Sequence, residues 1–67
     1  MDFIKLCKKI IDCNGQICYQ DVVDCGYGPD LFVRLTHPSV KPERIVKNAY
    51  RSLADRGIHY KENVCVN

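Results

Sequence analysis

Apolar and polar residues alternate along this chain in several distinct rhythms. In residues 2–13, Phe3, Ile4, Leu6, Cys7, Ile10 and Ile11 return every three to four positions, while Lys5, Lys8, Lys9 and Asp12 fill the gaps. That spacing predicts an amphipathic helix with a broad stripe for burial and with Asp2 as its cap. Asn14-Gly15 ends it, because both residues tolerate the left-handed backbone a helix end requires. Gln16-Ile17-Cys18 leaves room for a bridge or a very short strand. A second, shorter helix is expected over 19–25, with Val22 and Val23 inward, Tyr19 a third inward candidate, and Gln20, Asp21 and Asp24 outward. Gly26-Tyr27-Gly28-Pro29 is turn chemistry and stops it.

Residues 31–35 admit two readings. Asp30 can cap a helical turn, or Leu31, Val33 and Leu35 can alternate as a strand; the short helix is preferred. Thr36-His37-Pro38-Ser39 is a loop. Pro42 then suits a first helical turn, where its missing donor costs nothing, and Glu43 favours the positive end of the helix dipole. Ile45, Val46, Ala49, Tyr50, Leu53 and Ala54 form the apolar stripe of a helix over 42–56 that Gly57 ends. In 58–67 the rhythm changes to alternation, which predicts a β-hairpin. A three-residue turn at Lys61-Glu62-Asn63 sets Tyr60 opposite Val64 and Ile58 opposite Val66, placing all four on one face.

Helix, tiny strand, helix, turn-rich link, helix ending in Gly, then hairpin: this order resembles the winged helix-turn-helix domain. Two stretches carry the likeness, Ile4 through Gly26 and Val46 through Ile58. The resemblance implies an α+β fold, one winged-helix-like domain over residues 1–67, with three main helices followed by the C-terminal hairpin. It also implies that helix 42–56 is a recognition helix and hairpin 58–67 a wing. The sequence departs from the family between its second and third helices, where residues 26–41 replace a short turn.

Sixty-seven residues make one domain, and a chain of this size buries only about 60% of the surface its unfolded form exposes. So thin a core rarely encloses a catalytic pocket, and no Ser-His-Asp or Cys-His arrangement stands out, so a binding module rather than an enzyme is expected. No cofactor is expected either. Gly26 and Gly28 lack the remaining spacing and the Lys-Ser/Thr pair of a phosphate-cradling loop. No apolar run, Leu31-Phe32-Val33 among them, exceeds three residues, far short of a membrane span or a secretory core. The five cysteines, Cys7, Cys13, Cys18, Cys25 and Cys65, are odd in number and contain no Cys-x-x-Cys pair. They read as small reduced hydrophobes, with a zinc site or a regulatory disulfide as the alternatives. Reduced thiols and an opening without a signal pattern lead us to expect a cytoplasmic, reducing location.

Charge changes the picture most. Residues 1–30 carry three Lys against five Asp, net −2; residues 31–67 carry seven Lys/Arg against three acids, net +4. A polyanion-facing surface in the second half is therefore expected. Arg44, Lys47, Asn48 and Arg51 fall at i, i+3, i+4 and i+7 on helix 42–56, apart from its apolar stripe. Arg and Lys can bond guanine O6 and N7, and Asn can bond adenine N6 and N7, in a major groove that admits one helix. Lys61 at the wing tip is expected to touch phosphate or enter a minor groove, and Lys41 and Arg56 to add phosphate contacts. The expected function is thus sequence-specific binding of double-stranded DNA by a small transcriptional regulator, alone, as a homodimer or beside a host protein partner. The alternative is a protein-binding accessory or inhibitor of the viral or mobile-element type. In that case segment 27–40, with Tyr27, Leu31, Phe32 and Val33, would be the contact surface; the bland reading of the basic stripe is a solvated helix face.

Overall fold

The backbone groups left over at helix ends explain much of this architecture. The computed structural model describes residues 2–60 and contains α1 (Phe3–Asp12), α2 (Tyr19–Asp24), α3 (Pro29–Leu35) and α4 (Pro42–Asp55). Asp2 caps α1 by accepting from the Lys5 N–H at 3.0 Å. Three helices then stop in the same way, with paired hydrogen bonds that satisfy otherwise orphaned carbonyls. At the end of α1, Asn14 N–H reaches Ile11 O at 3.0 Å and Gly15 N–H reaches Ile10 O at 2.8 Å. After α2, Gly26 N–H reaches Val23 O at 2.9 Å and Tyr27 N–H reaches Val22 O at 3.1 Å. After α4, Gly57 N–H reaches Ala54 O and Ile58 N–H reaches Leu53 O, each at 2.9 Å. The sequence expectation of helix stops at Asn14-Gly15, at Gly26 and at Gly57 is met by these bonds.

The core is the meeting of the stripes. Leu6, Cys7, Ile10 and Ile11 of α1 are buried with Ile17, with Val22 and Cys25 from the α2 region, and with Ile45, Ala49 and Leu53 of α4. α4 packs chiefly against α1, and α2 against α3. Leu31, Phe32 and Leu35 of α3, with Tyr27 and Val40, are partly buried against the edge of this core. Segment 27–40 therefore packs on the edge of the core with no residue of its own buried, and Val33 is its large exposed hydrophobic residue.

Two expectations are corrected here. Residues 16–18 form no strand; Ile17 is buried in the core and Cys18 is the residue that starts α2. No strand forms anywhere among the described residues, so the α+β winged-helix class gives way to four helices. The first arm of the expected hairpin is spent otherwise. Ile58 caps α4, and the Tyr60 hydroxyl donates to Asp12 Oδ1 at 2.7 Å, with Lys8 Nζ 5.7 Å from the Tyr60 ring centroid. The turn and the second arm, 61–67, lie outside the described residues. The winged-helix identity falls with the strand.

One carboxylate ties α1 to α2. Asp21 accepts from the Cys18 N–H and the Cys18 thiol, both at 3.2 Å, and from the more distant Cys13 thiol at 4.0 Å; Lys9 Nζ lies 3.4 Å away. The Cys18 thiol and amide hold the Asp21 carboxyl below its ordinary value, and Lys9 adds to this. Because its folded value is depressed, the stabilisation is present above the unfolded carboxyl range near pH 4 and is lost as pH falls through the folded value. Asp21→Asn is thus expected to lower the urea midpoint at pH 7 and to converge with the unsubstituted protein as pH drops below about 4. Urea titrations at both pH values check this; a pH-independent gap would contradict it.

Candidate nucleic-acid interface

α4 presents its cations because of where its apolar residues fall. Ile45, Ala49 and Leu53, spaced by four, are buried toward α1. At 3.6 residues per turn, Lys47, Arg51 and Arg44 then lie on the far side of the helix. All three are exposed, as are Lys41 and Asn48. Among the described residues the ion pair is Lys9 with Asp21, and no carboxylate comes within pairing distance of Arg44, Lys47 or Arg51. The acids on α4 sit at its two ends, Glu43 in the first turn and Asp55 in the last position.

Two of the three basic residues of α1 are engaged, while Lys5 is exposed with no ion pair among the described residues. Lys9 is paired with Asp21 and Lys8 lies by the Tyr60 ring. In the second half, Arg44, Lys47 and Arg51 of α4 are exposed and without an ion pair among the described residues, as are Arg34 and Lys41.

The expected stripe is not a single line. Arg44, Lys47 and Arg51 form the outer ridge, whereas Asn48 sits on its flank and lines a concavity with Leu35, Ser39, Val40, Arg44 and Ile45. Lys41 lines a neighbouring hollow with Glu43, Arg44 and Lys47. Arg56 is drawn away from this surface: its guanidinium carbon lies 4.6 Å from the Phe3 ring centroid, and its Nη1 donates to Ser52 O at 3.1 Å. Lys61 lies outside the described residues.

One residue missed from sequence belongs here. Arg34, in the last turn of α3, is exposed and lines the same concavity as Arg44 and Asn48. The signal for it was the helical reading of 31–35, which sets Arg34 beside Leu35 at the end of an element that must turn back within six residues to begin α4.

The described cysteines are free thiols, and of these Cys18 is exposed. Cys7 and Cys25 are buried, and burial pushes both thiols up from their ordinary values; burial and then the Asp21 charge push up Cys13. Among the described residues, no three of His, Cys, Asp and Glu come together in a way that could hold a metal ion, and no helix is long and apolar enough to cross a membrane. Cys65 lies outside the described residues. The chain matches no known family model, no curated protein and no solved structure.

Proposed function

We propose that the protein binds the phosphate backbone of double-stranded DNA through the outer face of α4. The observation that carries this reading is the exposure of Arg44, Lys47 and Arg51 on the side of α4 opposite α1, with no carboxylate paired to them among the described residues. From Arg44 to Arg51 the helix rises roughly 10 Å, the axial span of about three phosphates on one strand. A single module of this kind covers about 600–1,000 Å² on a duplex, so modest affinity and strong salt dependence are expected.

Arg51→Ala tests the reading. The side chain is exposed and makes no polar contact among the described residues, so the helical circular-dichroism signal should stay unchanged. Affinity for a fluorescent duplex in low salt should fall, and the log–log slope against salt should drop by about 0.9. Unchanged affinity in a folded variant would remove α4 as the binding face.

A second reading, a protein contact, is favoured by a different observation. Tyr19 and Val23 of α2 and Val33 of α3 are exposed, and the Tyr19 ring stacks edge-on against Phe32 with centroids 5.4 Å apart. Capture of a protein that survives nuclease treatment, and that Arg51→Ala leaves unaffected, would favour this surface over α4.

A further inference from the structure

We infer that the hollow between α3 and α4 is a seat for one phosphate of the bound strand, with Arg34 on one wall and Arg44 on the other. This inference rests on the α4 reading above and extends it to a second element. The two arginines line one concavity together with Asn48, Ser39 and the apolar Leu35, Val40 and Ile45. Both are exposed, and no carboxylate among the described residues is paired with either. Asp30 and Glu43 border the adjacent hollows rather than this one.

An oxyanion in a hollow that two arginines line is attracted by both of their charges. A guanidinium offers parallel N–H donors that match a phosphate's oxygens, and its weak hydration suits a hollow with an apolar floor. The Asn48 side chain can donate from its NH₂ group to a third oxygen. Lys41 and Lys47 stand beside the hollow on the α4 side, so a strand seated there continues directly onto the outer ridge.

The position of Arg34 gives the seat a specific role. Arg44, Lys47 and Arg51 lie along one helix and allow a strand to slide in register; a contact from α3 fixes one end of the track. Arg34 is a positioning contact for the backbone and reads no base.

The test compares the full chain, Arg34→Gln and Arg34→Lys in duplex binding at several salt concentrations, with Arg51→Ala as reference. Circular dichroism first checks that each variant keeps its helix content. Arg34→Gln should lower the log–log slope by about 0.9, which is a factor of roughly three to four less affinity change between 50 and 200 mM salt. Arg34→Lys should keep most of that slope. Inorganic phosphate, followed through the arginine Nε–H resonances, should perturb Arg34 and Arg44 only at high millimolar concentration, because the seat is built for a phosphate already held by its neighbours. An unchanged slope in Arg34→Gln, with Arg51→Ala weakened, overturns the seat and leaves the α4 reading standing. Saturation by micromolar inorganic phosphate overturns the assignment to a strand. No salt-dependent duplex binding by the unsubstituted chain overturns both.

Discussion

Leu53→Ala should destabilise this protein severely. Leu53 is fully buried, at 0% exposure, in the layer where α4 docks on α1. Its carbonyl also accepts the Ile58 N–H that closes the end of α4. Cutting a buried Leu back to Ala costs about 2–5 kcal/mol, the transfer loss plus the cavity left behind. A domain of this length has only about 3–10 kcal/mol of total stability. Each kcal/mol shifts the midpoint of so small a domain by about 4–8 °C, so the Tm should fall by at least about 10 °C. Thermal unfolding followed at 222 nm checks this. A fall of only a few degrees would mean that α4 is not held on α1 as described, and the orientation of its cationic face would fall with it.

The second large effect is expected at Gly15. Its φ is +83°, a left-handed value, and a Cβ built there would overlap the Pro42 carbonyl oxygen and stand 2.8 Å from Pro42 Cα. The atoms in the way are backbone, so no rotamer change relieves the clash. The close approach joins the end of α1 to the start of α4 and so fixes where Arg44 stands. Gly57 has a similar φ of +76°, yet a Cβ there meets nothing within 4 Å. Gly57→Ala should therefore cost only the left-handed strain, about 1–2 kcal/mol. Gly15→Ala should cost that strain and about 1–3 kcal/mol more from overpacking. Urea midpoints of the two variants measure the difference directly. Equal losses would show that the Gly15–Pro42 approach carries no weight.

Part of this fold was legible because its signals are local. Periodicity identified α1 and α4, and Asn14-Gly15 and Gly57 marked their ends, since the residue after a helix must adopt a conformation few side chains tolerate. Cys18 misled for a different reason: a strand and a helix start use the same extended backbone at one residue, and ψ of 166° at Cys18 serves α2. In Leu31-Phe32-Val33-Arg34-Leu35 the alternate residues are aliphatic, which fits a strand as well as a helical turn. What decides it is Pro29 in the first turn and the docking of α3 on α2. Docking partners are not written in a single element's pattern. The hairpin expectation failed at Ile58 because alternation says which residues share a face and not what pairs with their amides. The Ile58 N–H is taken by Leu53.

The candidate site shows the same division. The exposure of Arg44, Lys47 and Arg51 followed from the spacing of Ile45, Ala49 and Leu53. The loss of Arg56 to Phe3 and Ser52, and the arrival of Arg34 beside Arg44, depend on how helices distant in sequence meet.

In the proposed binding mode, the open cationic ridge of α4, continued by Arg34, meets a phosphate backbone. The most direct measurement is the affinity of the unsubstituted chain for a short duplex across a range of salt concentrations. Four contacts, from Arg34, Arg44, Lys47 and Arg51, should give a straight log–log plot with a slope near about −3.6. Binding that salt leaves unchanged, or no binding at 20 mM salt, would contradict it.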